Sequence, residues 1–224
     1  MIPNIIHQSW KTTDLSSYGP SAKKSQNSWQ KIYPDFEYKF WTDMDIADYI
    51  QKQPQIYQQA FNDLDQNIKK MDFFRYLVLH EYGGIYSDMD FITNKRIEKD
   101  ILSNYSFIGY KACRNHRDHY LEDGDGVFSD KSYTINDDDG KWVLGQAFFG
   151  CERGHKGIEA LIKDIISNKN LKHPPLHHTG PEKINKLFIE NNLLRCDSTF
   201  IFSKQEVNNG SGSIGYHLRN HQWV

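Results

Sequence analysis

The chain reads as an α/β protein built on a single Rossmann-like, mostly parallel sheet flanked by helices, and three observations carry that reading. An Ile-rich run opens the chain, strands then alternate with helices, and a buried helix stops at a glycine pair before a short strand ending in acidic residues. Such alternation suits parallel strands, because each must be returned to the same end of the sheet by a crossover.

Residues 2–10 combine an apolar stretch with a polar ending, as a buried strand does. His7 inside that run reads as a core histidine hydrogen-bonded to backbone. Residues 20–33 form an amphipathic helix, and residues 36–41 alternate like a second strand. Trp41-Thr42-Asp43 then caps a helix over 43–51, with Asp43 as the N-cap. Pro54 breaks the chain before a short helix over 55–61.

The next helix, over 68–82, organises the rest. Asp72, Arg75 and Leu79 share one face, and Phe73, Phe74, Leu77, Val78 and Tyr82 cover most of the remainder. Gly83-Gly84 ends it, since glycine accepts the left-handed cap. Ile85-Tyr86-Ser87 follows as a strand into Asp88-Met89-Asp90, whose alternation sends both carboxylates to one side and Met89 to the other. Two hard oxygen donors at a strand end suit Mn²⁺ or Mg²⁺ held together with a diphosphate. Asp-x-Asp alone says little, since it occurs five times here, at Asp43, Asp63, Asp88, Asp123 and Asp137. The third copy is distinguished by the helix, glycines and apolar strand before it.

Phe91-Ile92 packs back, and residues 106–110 form another strand. Residues 118–139 hold eight carboxylates against one lysine and fit no calcium-loop template. The surrounding segment, 113–141, reads as a solvated acidic insertion or as a lid near an acceptor site. Residues 142–150 form one short strand, followed by a helix over 158–167. Pro181 begins a further helix to Asn191, and residues 208–224 form a Gly/Ser-hinged C-terminal lid.

The 224 residues fit one domain, 1–224. A net charge of −2 offers no basic surface for nucleic acid or an anionic membrane. No apolar run reaches transmembrane length. Cys113, Cys151 and Cys196 match neither a disulfide framework nor a metal knuckle and read as free thiols of a reducing compartment. Met1-Ile2-Pro3 leads straight into the first strand without a basic-then-apolar leader, so a cytoplasmic location is expected.

The run Asp72-x-x-Arg75-Tyr76-x-x-Leu79-His80-x-Tyr82-Gly83-Gly84-Ile85-Tyr86-x-Asp88-x-Asp90 resembles the core motif of the DXD-sugar-binding glycosyltransferases (glycosyltransferase family 32). The opening run to Trp10, the Thr179-Gly180-Pro181 turn and the terminal His217 to Trp223 segment resemble further parts of that family. Two positions depart from it: Gln146 stands where asparagine is usual, and Gln222 replaces a serine. The resemblance implies a GT-A type fold and a metal-dependent, retaining transfer of sugar from a nucleotide-diphosphate donor to a glycan or lipid-linked acceptor. It implies Asp88, Asp90 and His217 as ligands of Mn²⁺ or Mg²⁺, with Asp88, Asp90 and Arg75 as the catalytic set. It further implies donor contacts from Gln8, Trp10, Asp72, Arg75, Tyr86, Asp88 and Trp223.

Trp10 is open between stacking on the base and simple packing; a stacking role favours a UDP-sugar over GDP-mannose. Asp72 and Arg75 read either as sugar-binding groups or as an i, i+3 ion pair in a buried helix. Arg75 and the Trp223 indole would each add roughly 2–4 kcal/mol of transition-state stabilisation. Front-side attack, with the leaving phosphate accepting the proton, is the expected route, and Glu152 is the alternative nucleophile or base. A catalytically silent sugar- or nucleotide-binding module and a Mg²⁺-dependent phosphohydrolase are the competing classes.

Overall fold

The computed structural model describes residues 1–17, 19–113, 135–137, 140–207 and 213–218. In chain order the first elements are β1 (Ile5–Ser9), α1 (Pro20–Ile32), β2 (Glu37–Trp41), α2 (Asp43–Gln51), α3 (Gln55–Asp63), α4 (Asn67–Tyr82), β3 (Gly84–Ser87) and β4 (Phe91–Thr93). Then come α5 (Lys99–Asn104), β5 (Phe107–Cys113), β6 (Ile135–Asp137), β7 (Gly140–Leu144), β8 (Phe148–Cys151) and α6 (Lys156–Asn168). The last are α7 (Pro175–His178), α8 (Pro181–Glu190), β9 (Thr199–Phe202) and β10 (Gly215–His217).

The main sheet has the order β2-β1-β3-β8-β5-β7-β6, with β9 paired to β5. β1 lies parallel between β2 and β3, and β9 is parallel to β5. β8 runs against both β3 and β5, so β1, β2, β3, β5 and β9 all point one way. The mostly parallel sheet expected from the sequence is therefore present. Side-chain alternation divides its residues between two cores. Tyr86, Phe107 and Phe149 join α4, α6 and α8 on one face, while Ile85, Ile108 and Phe148 join Ile6, Trp29 and Tyr33 on the other.

Residues 72–79 of α4 are buried without interruption, because the helix lies between the sheet and α6. Each Phe or Leu so enclosed contributes roughly 1.5–3 kcal/mol, which is how the fold tolerates Asp72 and Arg75 on the same helix. The helix ends where expected. Gly83 and Gly84 have φ of +67° and +95°, and a Cβ on Gly84 would stand 2.6 Å from the Ile5 carbonyl oxygen. That close approach lets β3 pair directly with β1.

Two local readings change. Thr42, not Asp43, caps α2: its hydroxyl accepts from the Asp45 N–H, and the Asp45 carboxylate accepts from the Thr42 N–H at 2.8 Å. Asp43 is the first helical residue.

Residues 142–150 are not one strand. Ile108 pairs with Gly150 and Lys111 with Leu144, so the two β5 residues between them face the five residues 145–149. Three extra residues make a wide bulge at 145–147 that separates β7 from β8. β6 and the first residues of β7 fall in the segment read as an acidic insertion and pair antiparallel, while its residues 114–134 and 138–139 lie outside the described residues. Residues 208–212 and 219–224 of the expected C-terminal lid also lie outside them, Trp223 included. Among the described residues no helix is long and apolar enough to cross a membrane.

Candidate active site

The site forms at the carboxyl end of β3, where open α/β sheets place their ligand clefts. The chain leaves β3 in a tight turn, with the Phe91 N–H donating to the Asp88 carbonyl at 3.1 Å. This turn, rather than strand alternation, brings the Asp88 and Asp90 carboxylates together. Met89 points away into a cluster with Leu15 and Ala22, as its spacing implied. Behind the turn, the bulge at 145–147 supplies the Ala147 carbonyl to the Asp88 N–H at 2.8 Å.

His217 arrives from the other end of the chain. β10 pairs antiparallel with β4, placing Tyr216 opposite Ile92 and His217 opposite Phe91. The Leu218 N–H donates to the Asp90 carbonyl at 2.8 Å and secures the end of this ribbon. His217 Nε2 then lies 3.0 Å from Asp90 Oδ1. Asp88, Asp90 and His217 each offer a ligand atom, all within 4.8 Å of one another. Two ligands at right angles, each about 2.1 Å from one ion, stand about 3.0 Å apart, which is the separation of Asp90 and His217. Two carboxylates with one imidazole fit Mn²⁺ better than Mg²⁺, which favours an all-oxygen shell. Asp88 Oδ1 is buried and faces Arg75.

Arg75 is the positive charge already present. Its Nη2 lies 3.2 Å from Asp88 Oδ1 and 3.4 Å from Asp72 Oδ1, and its Nη1 donates to the Gln146 carbonyl at 3.2 Å. The guanidinium also lies over the Tyr86 ring, 4.9 Å from its centre. Burial opposes the Arg75 charge, but Asp88 and Asp72 more than offset it and hold the guanidinium protonated. Burial pushes the Asp88 carboxyl up to about 7, with Arg75 opposing the shift and Asp90 adding to it. Burial likewise raises Asp72, against the pull of Arg75 and a hydrogen bond from Thr179. The i, i+3 ion pair and the link to Asp88 are both present, so Asp72 and Arg75 belong to one network with the Asp-x-Asp turn.

Several expected residues have different surroundings. Gln8 is fully buried: its amide donates to Ser25 Oγ at 3.0 Å and to the Asp88 carbonyl at 3.3 Å, and its oxygen accepts from Tyr38 at 2.7 Å. Its side chain lies behind the acidic turn. Trp10 is partly buried and packs on Leu15, Ala22 and Met89, with the Lys11 ammonium 5.6 Å from its ring centre. Tyr86 is enclosed beneath Arg75, its hydroxyl 2.7 Å from Ser9 Oγ. His7 is the core histidine expected, with Nε2 3.0 Å from the Gly83 carbonyl.

Glu152 follows Cys151, which pairs with Gly84 at the start of β3, and it faces the chain's amino group at 3.5 Å. The length of β3, about 13 Å at 3.3 Å per residue, separates Glu152 from Asp88, so a role as nucleophile or base is overturned.

Sequence reasoning gave Thr179 and Gln146 no assured role, yet both touch the network. Thr179 Oγ1 donates to Asp72 Oδ2 at 2.8 Å, and Tyr76 donates to the Thr179 carbonyl at 2.6 Å. The Gln146 amide donates in turn to the Tyr76 hydroxyl. The Thr-Gly-Pro turn was visible; its contact with Asp72, 107 residues away in sequence, was not.

Fold and site together define the class as a GT-A type glycosyltransferase fold with an Asp-x-Asp centre. Within that class, residues 19–108 match the family described as "Glycosyltransferase sugar-binding region containing DXD motif". Over 97 residues the chain is 35% identical to inositol phosphoceramide mannosyltransferase 3 of Schizosaccharomyces pombe, a match covering 43% of this chain and 26% of that protein. Over 112 residues it is 36% identical to the initiation-specific alpha-1,6-mannosyltransferase of Saccharomyces cerevisiae, covering 48% of this chain and 23% of that one. The chain thus spans about a quarter of the length of these curated relatives. Among solved structures, the PaToxG glycosyltransferase shares the fold with a TM-score of 0.56 at 16% identity, covering 86% of this chain and 71% of that chain.

Proposed function

We propose that the chain is a divalent-metal-dependent, retaining glycosyltransferase that moves a sugar from a nucleoside-diphosphate donor to a hydroxyl of a glycan or lipid-linked acceptor. The observation that carries this reading is the convergence of Asp88, Asp90 and His217 beside buried Arg75. The difficult step is departure of the nucleoside diphosphate, which gathers negative charge as the anomeric carbon becomes cationic. A bound Mn²⁺ would supply the Lewis acid for the phosphate oxygens and the charge that keeps Asp88 ionised.

Asp88, Asp90 and His217 would hold that ion, and His217 would tie the C-terminal ribbon to it. Arg75, fixed by Asp88, Asp72 and the Gln146 carbonyl, provides a permanent positive charge near the diphosphate without reorganising during reaction. Asp72 accepts hydrogen bonds from donor sugar hydroxyls. With Glu152 at the other end of β3, front-side attack with proton transfer to the leaving phosphate is the favoured route.

The mannosyltransferases among the relatives support mannose as the sugar, and the contacts that Trp10 makes with Leu15, Ala22 and Met89 weaken its case as a pyrimidine-stacking face. Thermal shifts with Mn²⁺ and a panel of GDP-mannose, UDP-glucose, UDP-galactose and UDP-N-acetylglucosamine separate the donors. Mn²⁺-dependent hydrolysis to free sugar, lost in Asp90→Ala, supports the proposal. Release of inorganic phosphate instead would assign a phosphohydrolase, and donor binding without turnover a silent binding module.

A further inference from the structure

Behind Asp72 the buried polar groups form a closed ring. Asp72, Arg75 and Tyr76 come from α4, Gln146 from the bulge between β7 and β8, and Thr179 from the turn between α7 and α8. All five are buried. The donors run in one consistent direction: Gln146 amide to Tyr76 hydroxyl, Tyr76 hydroxyl to Thr179 carbonyl, Thr179 hydroxyl to Asp72. Arg75 closes the ring, since it meets Asp72 at 3.4 Å and donates to the Gln146 carbonyl at 3.2 Å.

A threonine hydroxyl has one proton to give. Two acceptors compete for it, Asp72 Oδ2 at 2.8 Å and the Pro175 carbonyl at 3.4 Å. The Asp72 oxygen is much the nearer and so accepts the hydrogen bond. Both Asp72 oxygens are then engaged, one by Thr179 and the other by Arg75, and the plane of the carboxylate is set. Its remaining lone pairs face fixed directions, as recognition of a polyol requires: a buried acceptor aligned with one sugar hydroxyl discriminates strongly against a sugar lacking it.

We infer that Thr179 is a positioning residue that orients the Asp72 carboxylate for the hydroxyls of the donor sugar, with Tyr76 and Gln146 holding its turn in place. Gln146 suits this role by its length, reaching Tyr76 from the bulge while its own carbonyl serves Arg75. The inference rests on the proposed reading of the chain as a nucleotide-sugar enzyme.

Donor KM and kcat for Mn²⁺-dependent hydrolysis test it in Thr179→Val and Thr179→Ser, alongside thermal unfolding of the same samples. Loss of one hydrogen bond to a charged group predicts a rise in donor KM of about tenfold in the valine variant, with kcat little changed. Serine, which keeps the hydroxyl, is expected to restore KM. A valine variant with unchanged KM, or a serine variant as impaired as valine, overturns the inference, whatever happens to the melting temperature. Should valine prevent folding, Tyr76→Phe carries the test: it releases the Thr179 carbonyl and is expected to raise KM about threefold, and an unchanged KM overturns the inference. A wild-type protein with no Mn²⁺-dependent donor turnover would sink the functional reading and this inference with it. Normal wild-type turnover with an indifferent Thr179 sinks the inference alone.

Discussion

Asp43-Met44-Asp45 and Asp88-Met89-Asp90 are the same tripeptide in two settings. At the start of α2, Met44 is 79% exposed, and Asp45 accepts from the N–H and hydroxyl of Thr42, contacts that hold its carboxyl below the usual range. At the end of β3, Met89 is 3% exposed, and Asp88 lies against Arg75 with its carboxyl pushed up to about 7 by burial. The first pair opens a helix at the surface. The second meets a guanidinium and an imidazole inside the protein. What differs is what the fold brings alongside: a buried helix, a bulge and a ribbon from the far end of the chain.

Substitutions can break that contrast. The largest effect is expected for Asp90→Ala, which should lower Mn²⁺-dependent donor turnover by about 10³-fold, comparable to loss of a major transition-state contact. Asp45→Ala should leave turnover unchanged. Steady-state assays of both variants would remove the distinction if they fell equally.

Arg75 is the partner that separates the two copies most clearly. Arg75→Met leaves Asp72 and Asp88 buried without their cation, and urea unfolding should show a loss of about 3–5 kcal/mol. A loss below about 1 kcal/mol would mean that the carboxylates are solvated much as those of α2 are.

The histidines repeat the lesson in another residue type. His217 flanks Asp90, whereas His7 is enclosed, and burial lowers it from 6.5 to about 4, with the Gly83 carbonyl opposing that shift. Lys39 also disfavours its charged form, and Glu37 favours it. Between those two values the unfolded chain binds a proton that the fold does not, so stability is complete above pH 6.5 and falls as pH drops toward 4. The integrated loss is about 3 kcal/mol. His7→Gln should flatten that part of the stability–pH profile, and an unchanged slope would remove His7 from the account. The smallest effect belongs to α2: Thr42→Ala should cost about 1 kcal/mol through loss of the capping box, with activity intact.

Much of this was legible because it is local. The buried face of α4, the glycine pair, β3 and the acidic turn follow from neighbouring residues, and their spacing marks them. His217 was identifiable by family resemblance, although only the pairing of β10 with β4 shows how it reaches Asp90. The bulge at 145–147 could not be read, because an apolar run of that length fits an unbroken strand equally well and the register that breaks it is set by β5. Gln8 had the polarity of a ligand contact, yet its partners Ser25 and Tyr38 come from α1 and β2, so its burial was a tertiary outcome. Glu152 was a plausible carboxylate until the pairing of Cys151 with Gly84 placed it at the other end of β3.

Titration of Mn²⁺ in the presence of a nucleoside diphosphate, followed by the paramagnetic signal of the free ion, tests the central claim most directly. The account predicts one tightly held ion per chain, weakened at least about tenfold in His217→Ala and lost in Asp90→Ala. Equal Mn²⁺ binding by the wild-type protein and both variants would contradict it.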